Sequence, residues 1–385
     1  MFFNRDRILM VVHAYYIEDT RVRREAEALV EAGKQVDVIC LNKGDEDKRQ
    51  TFKGVNIHRL GVARSQSRTK ASYILEYIKF ALFAFFKVSG LFFTIRPKVV
   101  MVHNMPNFLV FSALVPRIFG ACVILDMHDV MPELYANLFN IKGSKLEKLL
   151  FFEEKLSALF ASKLMTVNDV IDDILKARLN RELFVVRNTP DASCLALTET
   201  RARVTDKFNL FHHGNIHQRY GLGRVLPIVK ALNSEQQEYH LEVHGRGTFY
   251  DEVKAEVKKL GIEPYCQLNG GFKPEDVGNL LANADLGLVL NFPDEFADIL
   301  LPVKLLEYVA CKVPVVCPRI KAVEACFSED MVFYFDDDEH LARLIVELKN
   351  DPQRCEAAAK RAYEHYLSIQ WDNEKRRFVE YISAI

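Results

Sequence analysis

Short apolar runs alternate with longer amphipathic runs along most of the chain. The run RILMVVHA predicts a strand, DTRVRREAEALVEAG predicts a helix, and QVDVICL predicts the next strand. Asp19 or Thr20 fits the N-cap of that helix, and Gly33 fits its end. Strand–helix–strand units of this kind build parallel sheets with right-handed crossovers. Because similar runs continue through KVVMVHN, CVILDMHD, KLMTVN and LFVVRN, the pattern predicts a doubly wound α/β domain.

The alternation is interrupted in a polar segment, residues 189–206, which has no strong period and is typical of a connection. A second alternating series follows, with strands such as FNLFHHG, YHLEVHG and VPVVC. We therefore expect two doubly wound, Rossmann-like α/β domains, residues 1–190 and 206–366, and a closing helical segment, residues 367–385. Ligands of such sheets bind beyond the carboxyl ends of the strands, so functional residues are expected in the loops that follow strands.

Composition narrows the class of protein. The chain has 385 residues, of which 49% are hydrophobic and 27% are charged, and its formal charge is −1. These values are typical of a soluble globular protein and give no reason to expect nucleic-acid binding. The eight cysteines show no C-x-x-C or other metal-ligand spacing, which indicates free thiols in a reducing compartment. The amino terminus has no convincing signal peptide, and we expect a cytoplasmic protein.

One long apolar segment, residues 72–98, is interrupted by Glu76, Lys79 and Lys87. A membrane-spanning helix needs about 20 apolar residues with few or no charges, so these charges argue against a span. Two interpretations remain open. The segment is either a helix partly buried in its domain, or a helix that contacts the inner surface of the cytoplasmic membrane through residues 72–95.

The stretch LPVKLLEYVACKVPVV, residues 301–316, carries the strongest chemical signal. Pro302 fits the first turn of a short helix, whose free N–H groups attract an anion. Lys304 strengthens that attraction, and the Glu307 carboxylate can accept hydrogen bonds from both hydroxyls of a diol. An anion beside a diol describes a nucleoside diphosphate, whereas the alternative is a surface ion pair between Lys304 and Glu307. We expect this helix to have a buried side formed by Leu301, Leu305, Leu306 and Val309, and an open side formed by Lys304, Glu307, Tyr308 and Cys311.

His128 and Asp129 follow the predicted strand that ends in LDM. A histidine at a strand end can donate a hydrogen bond to a substrate oxygen or titrate near neutral pH, and the alternative is an ordinary core histidine. His103 and Asn104 occupy the equivalent place after another strand and are weaker candidates.

Two further loops lie in the second half of the chain. In HHGNIHQRYGLGR, residues 212–224, Gly214 loosens the strand end, and Arg219 either clamps a phosphate or is an exposed surface arginine. In HGRG, residues 244–247, Gly245 would let backbone amides approach a phosphate, although a tight turn explains the same pattern.

Several segments together resemble one family. The 301–316 stretch resembles the L-P-x-K-x-x-E-Y signature of family-four glycosyltransferases with the GT-B fold, in which two Rossmann-like domains face each other across a deep cleft. DTRVRREAEALVEAGKQVDVIC, FEEKLSALFASKLMTVND and HHGNIHQRYGL resemble further segments of that family in the same order. The likeness covers nearly the whole chain and is greatest to enzymes that assemble bacterial surface polysaccharides.

The resemblance implies a retaining transfer of a sugar from a nucleotide sugar, with UDP favoured over GDP. It implies that Glu307 binds the ribose hydroxyls, that Arg219 and Lys304 hold the diphosphate, and that His128 lies beside the transferred sugar. The acceptor, a glycan or a polyprenyl-linked glycan, would bind mainly to the first domain, on which the last helix packs. Such enzymes generally need neither a metal ion nor a cofactor. The remaining donor-binding residues that the resemblance implies are Gly214, Asn215, Gly245, Arg246, Phe272, Leu301 and Val303.

The chain departs from the family pattern at one carboxylate. Many members carry an E-x7-E pair that ends at the position of Glu307, and here the earlier position is Ile299, with Asp298 beside it. This departure keeps open a non-catalytic sugar-nucleotide-binding subunit of an assembly complex. A sugar-nucleotide epimerase, which shares the fold and the donor but transfers to no acceptor, is the alternative enzyme. The acidic runs at residues 45–47 and 336–338 are interpreted as solvated caps rather than as a metal site.

Overall fold

The computed structural model describes residues 3–62, 70–139, 141–191, 195, 206–234 and 238–385. The chain divides into two compact units: Met1–Asn188 together with Asp372–Ile385, and Thr189–Trp371. Most of the predicted connection, residues 192–194 and 196–205, lies outside the described residues, and so does Cys194. The seven described cysteines are free thiols.

The first unit is built on an eight-stranded sheet with the order β3-β4-β2-β1-β5-β6-β7-β8. Its central strands are apolar and fully buried, which is typical of a parallel sheet covered on both faces. The strands are β1 (Asn4–Val12), β2 (Gln35–Leu41), β3 (Arg49–Phe52), β4 (Val55–Leu60), β5 (Pro97–His103), β6 (Cys122–Asp126), β7 (Lys163–Thr166) and β8 (Leu183–Val185).

One strand pair of this sheet is antiparallel and was not predicted. β3 pairs with β4 in a hairpin, and its turn is formed by Lys53 and Gly54, both with positive φ. Two consecutive residues with positive φ fit the tight turn that a two-residue hairpin requires. The acidic run at 45–47 precedes this hairpin, where Glu46 accepts a hydrogen bond from the backbone of Lys43 at 3.2 Å.

Three helices of the first unit, α1, α5 and α6, begin at polar caps. The Asp19 side chain accepts a hydrogen bond from Val22 N at the start of α1, and the Asn168 side chain accepts one from Ile171 N at the start of α6. A 3₁₀ helix, Asn107–Ala113, precedes α3. The helices are α1 (Thr20–Glu31), α2 (Lys70–Ile95), α3 (Leu114–Ile118), α4 (Met131–Phe139), α5 (Lys145–Phe160) and α6 (Asp169–Leu179).

The long apolar segment forms α2, and it is only partly buried. Phe80, Ala84, Val88 and Phe92 are fully buried and recur at helical spacing. Of the described helices, this one is long and apolar enough, over Ile74–Ile95, to cross a membrane by length and composition alone. Of this stretch, 22% is buried in the protein.

The second unit contains a six-stranded parallel sheet with the order β11-β10-β9-β12-β13-β14. The predicted class of fold, two Rossmann-like α/β domains, is confirmed. Its strands are β9 (Phe208–His213), β10 (Tyr239–His244), β11 (Cys266–Asn269), β12 (Leu286–Leu288), β13 (Val315–Pro318) and β14 (Phe333–Phe335). The helices that follow in the chain are α7 (Leu222–Leu232), α8 (Tyr250–Leu260), α9 (Val277–Leu281), α10 (Val303–Ala310), α11 (Lys321–Glu324), α12 (Asp338–Asn350), α13 (Pro352–Ile369) and α14 (Trp371–Ser383).

The last helix belongs to the first unit, although it follows the second unit in the chain. The Glu374 carboxylate accepts a hydrogen bond from Arg187 N at 3.0 Å, and the Tyr381 ring stacks on Phe184 with centroids 3.9 Å apart. The boundary predicted between the second domain and the closing helical segment, residues 366 and 367, lies inside α13. The acidic run at 336–338 starts α12, and the Asp337 side chain caps that helix by accepting from His340 N at 2.7 Å.

Candidate functional site

The order of strands reverses in each sheet, and doubly wound proteins bind ligands where this happens. In the second unit the reversal lies between β9 and β12, which pair in parallel. β9 ends at His213, and Gly214 follows it. The loop after β9 was expected to be functional because it follows the carboxyl end of a predicted strand.

Helix α10 brings the strongest sequence signal to this end of the sheet. Leu305, Leu306 and Val309 are buried as expected, whereas Lys304 and Glu307 are half-buried. The prediction for two neighbours was wrong. Leu301 is half-buried rather than on the buried side, and Tyr308 is fully buried rather than on the open side. Val303, at the start of the helix, is also half-buried. The Tyr308 hydroxyl donates a hydrogen bond to the carbonyl of Phe211 in β9 at 2.9 Å, which ties α10 to the sheet.

Glu307 is held by a histidine that sequence reasoning did not select. His213 Nε2 lies 2.7 Å from Glu307 Oε2, so the ring N–H donates to the carboxylate. The His213 ring is buried between the edge of Tyr308, with centroids 4.8 Å apart, and Phe272, 5.8 Å away. The two neighbouring rings confine the His213 side chain, and its hydrogen bond to the Glu307 carboxylate is charge-assisted and therefore strong. His213 thus fixes where the Glu307 carboxylate lies.

Lys304 lies in a site that disfavours its charge. Burial lowers the pKa of the Lys304 ammonium to about 8, although Glu307 acts in the opposite direction. Its Nζ is 3.5 Å from Nε2 of His212 and 5.5 Å from the centre of the Tyr220 ring. Lys304 is therefore a cation without a close carboxylate of its own among the described residues, which suits it to bind an anionic ligand.

His212 accepts from Lys304 because it is neutral. Burial, followed by the charge of Lys304, lowers the pKa of His212 well below its ordinary value. Its Nδ1 lies 3.2 Å from the carbonyl oxygen of Leu288 and donates to it, so the lone pair on Nε2 faces the ammonium. The dipeptide HH at the end of a predicted strand was the available signal for His212 and His213.

The glycines of this site allow three strand ends to approach one another. A Cβ on Gly245 would lie 1.9 Å from the carbonyl oxygen of Gly214, so only glycine fits. The expectation that Gly245 lets backbone amides of residues 244–247 approach a phosphate, and the alternative of a tight turn, both stay predictions. Gly214 N donates to His244 O at 2.9 Å and Gly245 N donates to Gly270 O at 3.0 Å, so neither is free.

Two arginines of the site differ in their surroundings. Arg219 is half-buried and stacks on Phe296, with its guanidinium carbon 4.6 Å from the ring centre. It also lies over the Tyr220 ring at 5.9 Å, so Arg219 and Lys304 border the same aromatic ring. No carboxylate pairs with Arg219 in the described ranges. Arg246 is exposed and lies along the backbone of residues 270–271, and Asn215 is exposed.

The first carboxylate of the E-x7-E pair is replaced by Ile299 in this chain. Ile299 is buried in a short 3₁₀ helix, Ala297–Ile299. The neighbouring Asp298 pairs with Lys321 at 3.0 Å. A carboxylate contact to a ligand at this position is therefore not provided by either residue.

A second group of polar residues lies at the carboxyl ends of β5 and β6 in the first unit. Asp126 is fully buried, and its Oδ2 accepts hydrogen bonds from Arg21 Nε at 3.0 Å and from His103 Nδ1 at 3.0 Å. His128 Nδ1 lies 3.4 Å from the same oxygen. Burial by itself would raise the pKa of Asp126, but Arg21 and the two histidines outweigh it and hold the pKa well below its ordinary value.

This network places His128 for hydrogen bonding. Burial acts to lower the pKa of His128, but the hydrogen bond and the charge of Asp126 outweigh it and raise the pKa. His128 N also donates to the Asn104 side chain at 3.1 Å. Since Nδ1 faces Asp126, Nε2 is the ring atom that remains for a ligand.

The same cluster has the residue types of a metal site. Ligand atoms of His103, Asp126 and His128 lie within 4.8 Å of one another. The Arg21 guanidinium, however, contacts both oxygens of Asp126 at 3.0 Å. A cation bound here would be repelled at short range by this arginine, so the residues fit an anchor for His128 better than a metal centre.

Comparison with known families accounts for both units. A family model described as a glycosyl transferase 4-like domain matches residues 19–188, and one described as glycosyl transferase-like matches residues 224–381. The chain belongs to the family-four glycosyltransferases of the GT-B fold. The resemblance seen in the sequence is thereby confirmed.

Solved structures agree on the fold of this glycosyltransferase. Sucrose-phosphate synthase from Thermosynechococcus elongatus superposes with a TM-score of 0.75 at 14% identity, over 97% of this chain and 98% of that chain. HepE from Anabaena in complex with UDP-glucose gives 0.71 at 12% identity, over 98% and 100%. WaaG, a glycosyltransferase involved in lipopolysaccharide biosynthesis, gives 0.69 at 18% identity, over 97% and 99%. No protein of curated function matches the sequence.

Proposed function

We propose that this glycosyltransferase moves a sugar, with retention of configuration, from a nucleoside-diphosphate sugar to a glycan or polyprenyl-linked acceptor in bacterial polysaccharide synthesis. The observation that carries the proposal is the placement of Lys304 and Glu307 on one turn of α10, beside the end of β9. UDP is the favoured nucleotide, because solved neighbours are complexes with UDP and with UDP-glucose. The involvement of WaaG in lipopolysaccharide synthesis supports the class of acceptor.

Glu307 is the proposed ribose ligand. Its Oε2 receives the hydrogen bond of His213 at 2.7 Å, which leaves Oε1 and the second lone pair of Oε2 for the two ribose hydroxyls. A carboxylate can accept about four hydrogen bonds, so the ribose and His213 are compatible.

Lys304 and Arg219 are the proposed ligands of the diphosphate. Charge accumulates on the diphosphate as its bond to the sugar breaks, and two cations beside it stabilise that leaving group. In this proposal the two side chains provide the positive charge without a metal ion or a cofactor. The aromatic ring of Tyr220, which both cations border, keeps them near each other.

His128 is the proposed contact to the transferred sugar in the first unit. Because Asp126 raises the pKa of His128, the protonated ring is favoured: its Nδ1–H donates to Asp126, and its Nε2–H can donate to a sugar oxygen. The acceptor is proposed to bind on the same unit. We further propose a cytoplasmic protein that meets its acceptor at the inner face of the membrane, through residues 72–95.

Thermal unfolding in the presence of nucleotide tests the proposal. A ligand at about a hundred times its dissociation constant stabilises the folded state by about 2.7 kcal/mol, so UDP should raise the melting temperature measurably. Glu307→Ala removes two hydrogen bonds to a charged acceptor and should weaken UDP binding by about tenfold to a hundredfold. Glu347→Ala, on the exposed face of α12, is the matched control and should bind like the wild type.

A panel of nucleotide sugars with and without candidate acceptors then separates the activities. Transfer to an acceptor, with the anomeric configuration of the donor kept in the product, supports the proposal. A change of the donor sugar without an acceptor would identify an epimerase. No stabilisation by UDP or by GDP would contradict the nucleotide site itself.

A further inference from the structure

We propose that the first unit docks on the surface of an anionic lipid bilayer through a continuous face formed by α2, residues 107–119 and α5. We call this the basic–apolar face. The inference deepens the membrane contact of the proposed function, on which it rests, because it adds two elements that the sequence did not indicate and states the charge of the lipid.

The distribution of exposed apolar side chains is the first observation. Of the nineteen large apolar side chains that are exposed among the described residues, sixteen lie on these three elements. Scattered exposed apolar residues are ordinary on a protein surface, whereas a contiguous patch marks a binding surface. On α5 the exposed apolar residues recur at helical spacing, at Leu149, Phe152, Leu156 and Leu159.

The three elements are continuous in space. The Phe119 ring contacts Phe92 and Phe93 of α2, each with centroids 5.6 Å apart. The Phe111 ring contacts Phe160 of α5, with centroids 5.0 Å apart. The exposed residues of α2, of 107–119 and of α5 therefore belong to a single surface.

The charges on this face have one sign. The charged positions of α5 that are exposed are Lys145, Lys148 and Lys155. Among the described side chains of α2, Lys79 is the exposed charge, and Arg117 is exposed in the last turn of α3. Lysines that flank an apolar face are attracted to anionic headgroups, each by about 1 kcal/mol near the surface.

Three of the four acidic residues of α2 and α5 turn inward. Glu154 is fully buried and accepts from Arg178 at 2.8 Å. Burial raises the pKa of both Glu153 and Glu154 to about 7. Glu76 of α2 is buried and lies 3.1 Å from His13. The fourth, Glu147, is half-buried at the start of α5 and accepts a hydrogen bond from Gly143 N at 2.6 Å. The fully exposed charges of this surface are therefore basic, which suits a negatively charged apolar partner.

The geometry favours a helix that lies in the membrane interface over one that spans it. Phe80, Ala84, Val88 and Phe92 on the opposite side of α2 have no exposed area. Withdrawing α2 to cross a bilayer would expose this stripe of the domain core, whereas docking leaves it in place. Helices with one basic–apolar side bind at the depth of the headgroups.

Vesicle flotation of the full chain tests the basic–apolar face. The wild type should float with vesicles that contain phosphatidylglycerol and bind pure phosphatidylcholine vesicles at least about tenfold more weakly. Phe152→Glu combined with Leu156→Glu should lower binding to the anionic vesicles by more than about tenfold. Lys148→Glu combined with Lys155→Glu should do the same and should remove the preference for anionic lipid.

The control is Leu367→Glu, which introduces one glutamate at an exposed leucine of the second unit and should float like the wild type. Equal melting temperatures of all variants exclude unfolding as the cause. Stabilisation by UDP should be unchanged in the α5 variants, so the nucleotide site and the membrane face are tested separately. The inference would be overturned by a wild type that stays in the soluble fraction when anionic vesicles float. It would also be overturned if sedimentation showed a dimer that does not bind vesicles, because a second copy of the chain would then cover the apolar face.

Discussion

Lys304 shows how much the surroundings of one residue decide about its chemistry. An ordinary lysine is fully charged at neutral pH, but burial lowers the pKa of this one to about 8. The free protein therefore loses this positive charge as the pH rises through about 8. A bound diphosphate favours the charged form and raises the pKa again, so nucleotide binding and protonation of Lys304 support each other.

This linkage predicts a pH dependence of nucleotide binding. The affinity for UDP should be full below the pKa of Lys304 and should fall as the pH rises from about 7 to about 9, because the free protein must then take up a proton to bind. Calorimetry near pH 8 in two buffers with different ionisation enthalpies should show net proton uptake on binding. Lys304→Arg is the control, since its guanidinium stays charged over this range. Proton release, or uptake that survives in Lys304→Arg, would assign the titration to another group.

The other residues of the site show which roles can be predicted from local sequence. Lys304 and Glu307 were predictable because they lie one turn apart on one helix, so their spacing alone places them together. His213 was not, because it meets Glu307 from 94 residues away along the chain. The burial of Tyr308 was missed for the same reason, since its partner is the carbonyl of Phe211 in another element.

At the scale of the element, the position of α10 depends on a glycine in the sheet. A Cβ on Gly287 in β12 would lie 2.6 Å from Cγ of the buried Tyr308 ring. A ring in a packed interior cannot move aside without shifting the helix that carries it. The absence of a side chain at Gly287 therefore sets how closely α10 approaches the sheet.

Gly287→Ala should consequently disturb the site without altering any ligand of the nucleotide. We expect a loss of stability of about 1–3 kcal/mol from overpacking and a weaker affinity for UDP, because Lys304 and Glu307 shift with α10. Denaturant unfolding and UDP titration measure the two effects. The control is Gly223→Ala in α7, where a Cβ would lie at an ordinary contact distance of 3.7 Å from Phe249. This substitution should change neither the stability nor the affinity for UDP much. Wild-type affinity in Gly287→Ala would show that α10 is not positioned by this contact.

At the scale of the whole molecule, the chain returns to the first unit after completing the second. Phe378 of α14 is fully buried, and Glu374 accepts from Arg187 N. A helix at the end of the chain therefore stabilises a sheet built by the first half. The sequence could predict the helix from its pattern, but only the resemblance to a family indicated the domain on which it packs.

Phe378→Ala should therefore destabilise the first unit. Removing a buried phenylalanine costs about 3–5 kcal/mol, and the loss should appear as faster hydrogen exchange in β1, β5 and β6. Exchange in β9 and β10 of the second unit should stay close to that of the wild type. Arg376→Ala, at an exposed position of the same helix, should leave both units unchanged. Faster exchange confined to the second unit would contradict the assignment of α14.

The sequence by itself determined the alternation of strands and helices, the division into two Rossmann-like domains and the turn that carries Lys304 and Glu307. These depend on periodicity and spacing within short segments, which a chain carries wherever it folds. Only the tertiary structure decided the lowered pKa of Lys304, the histidine that holds Glu307, and the sides of α2 and α5 that remain exposed. These depend on burial, and burial is set by residues far away in the chain that pack against the segment.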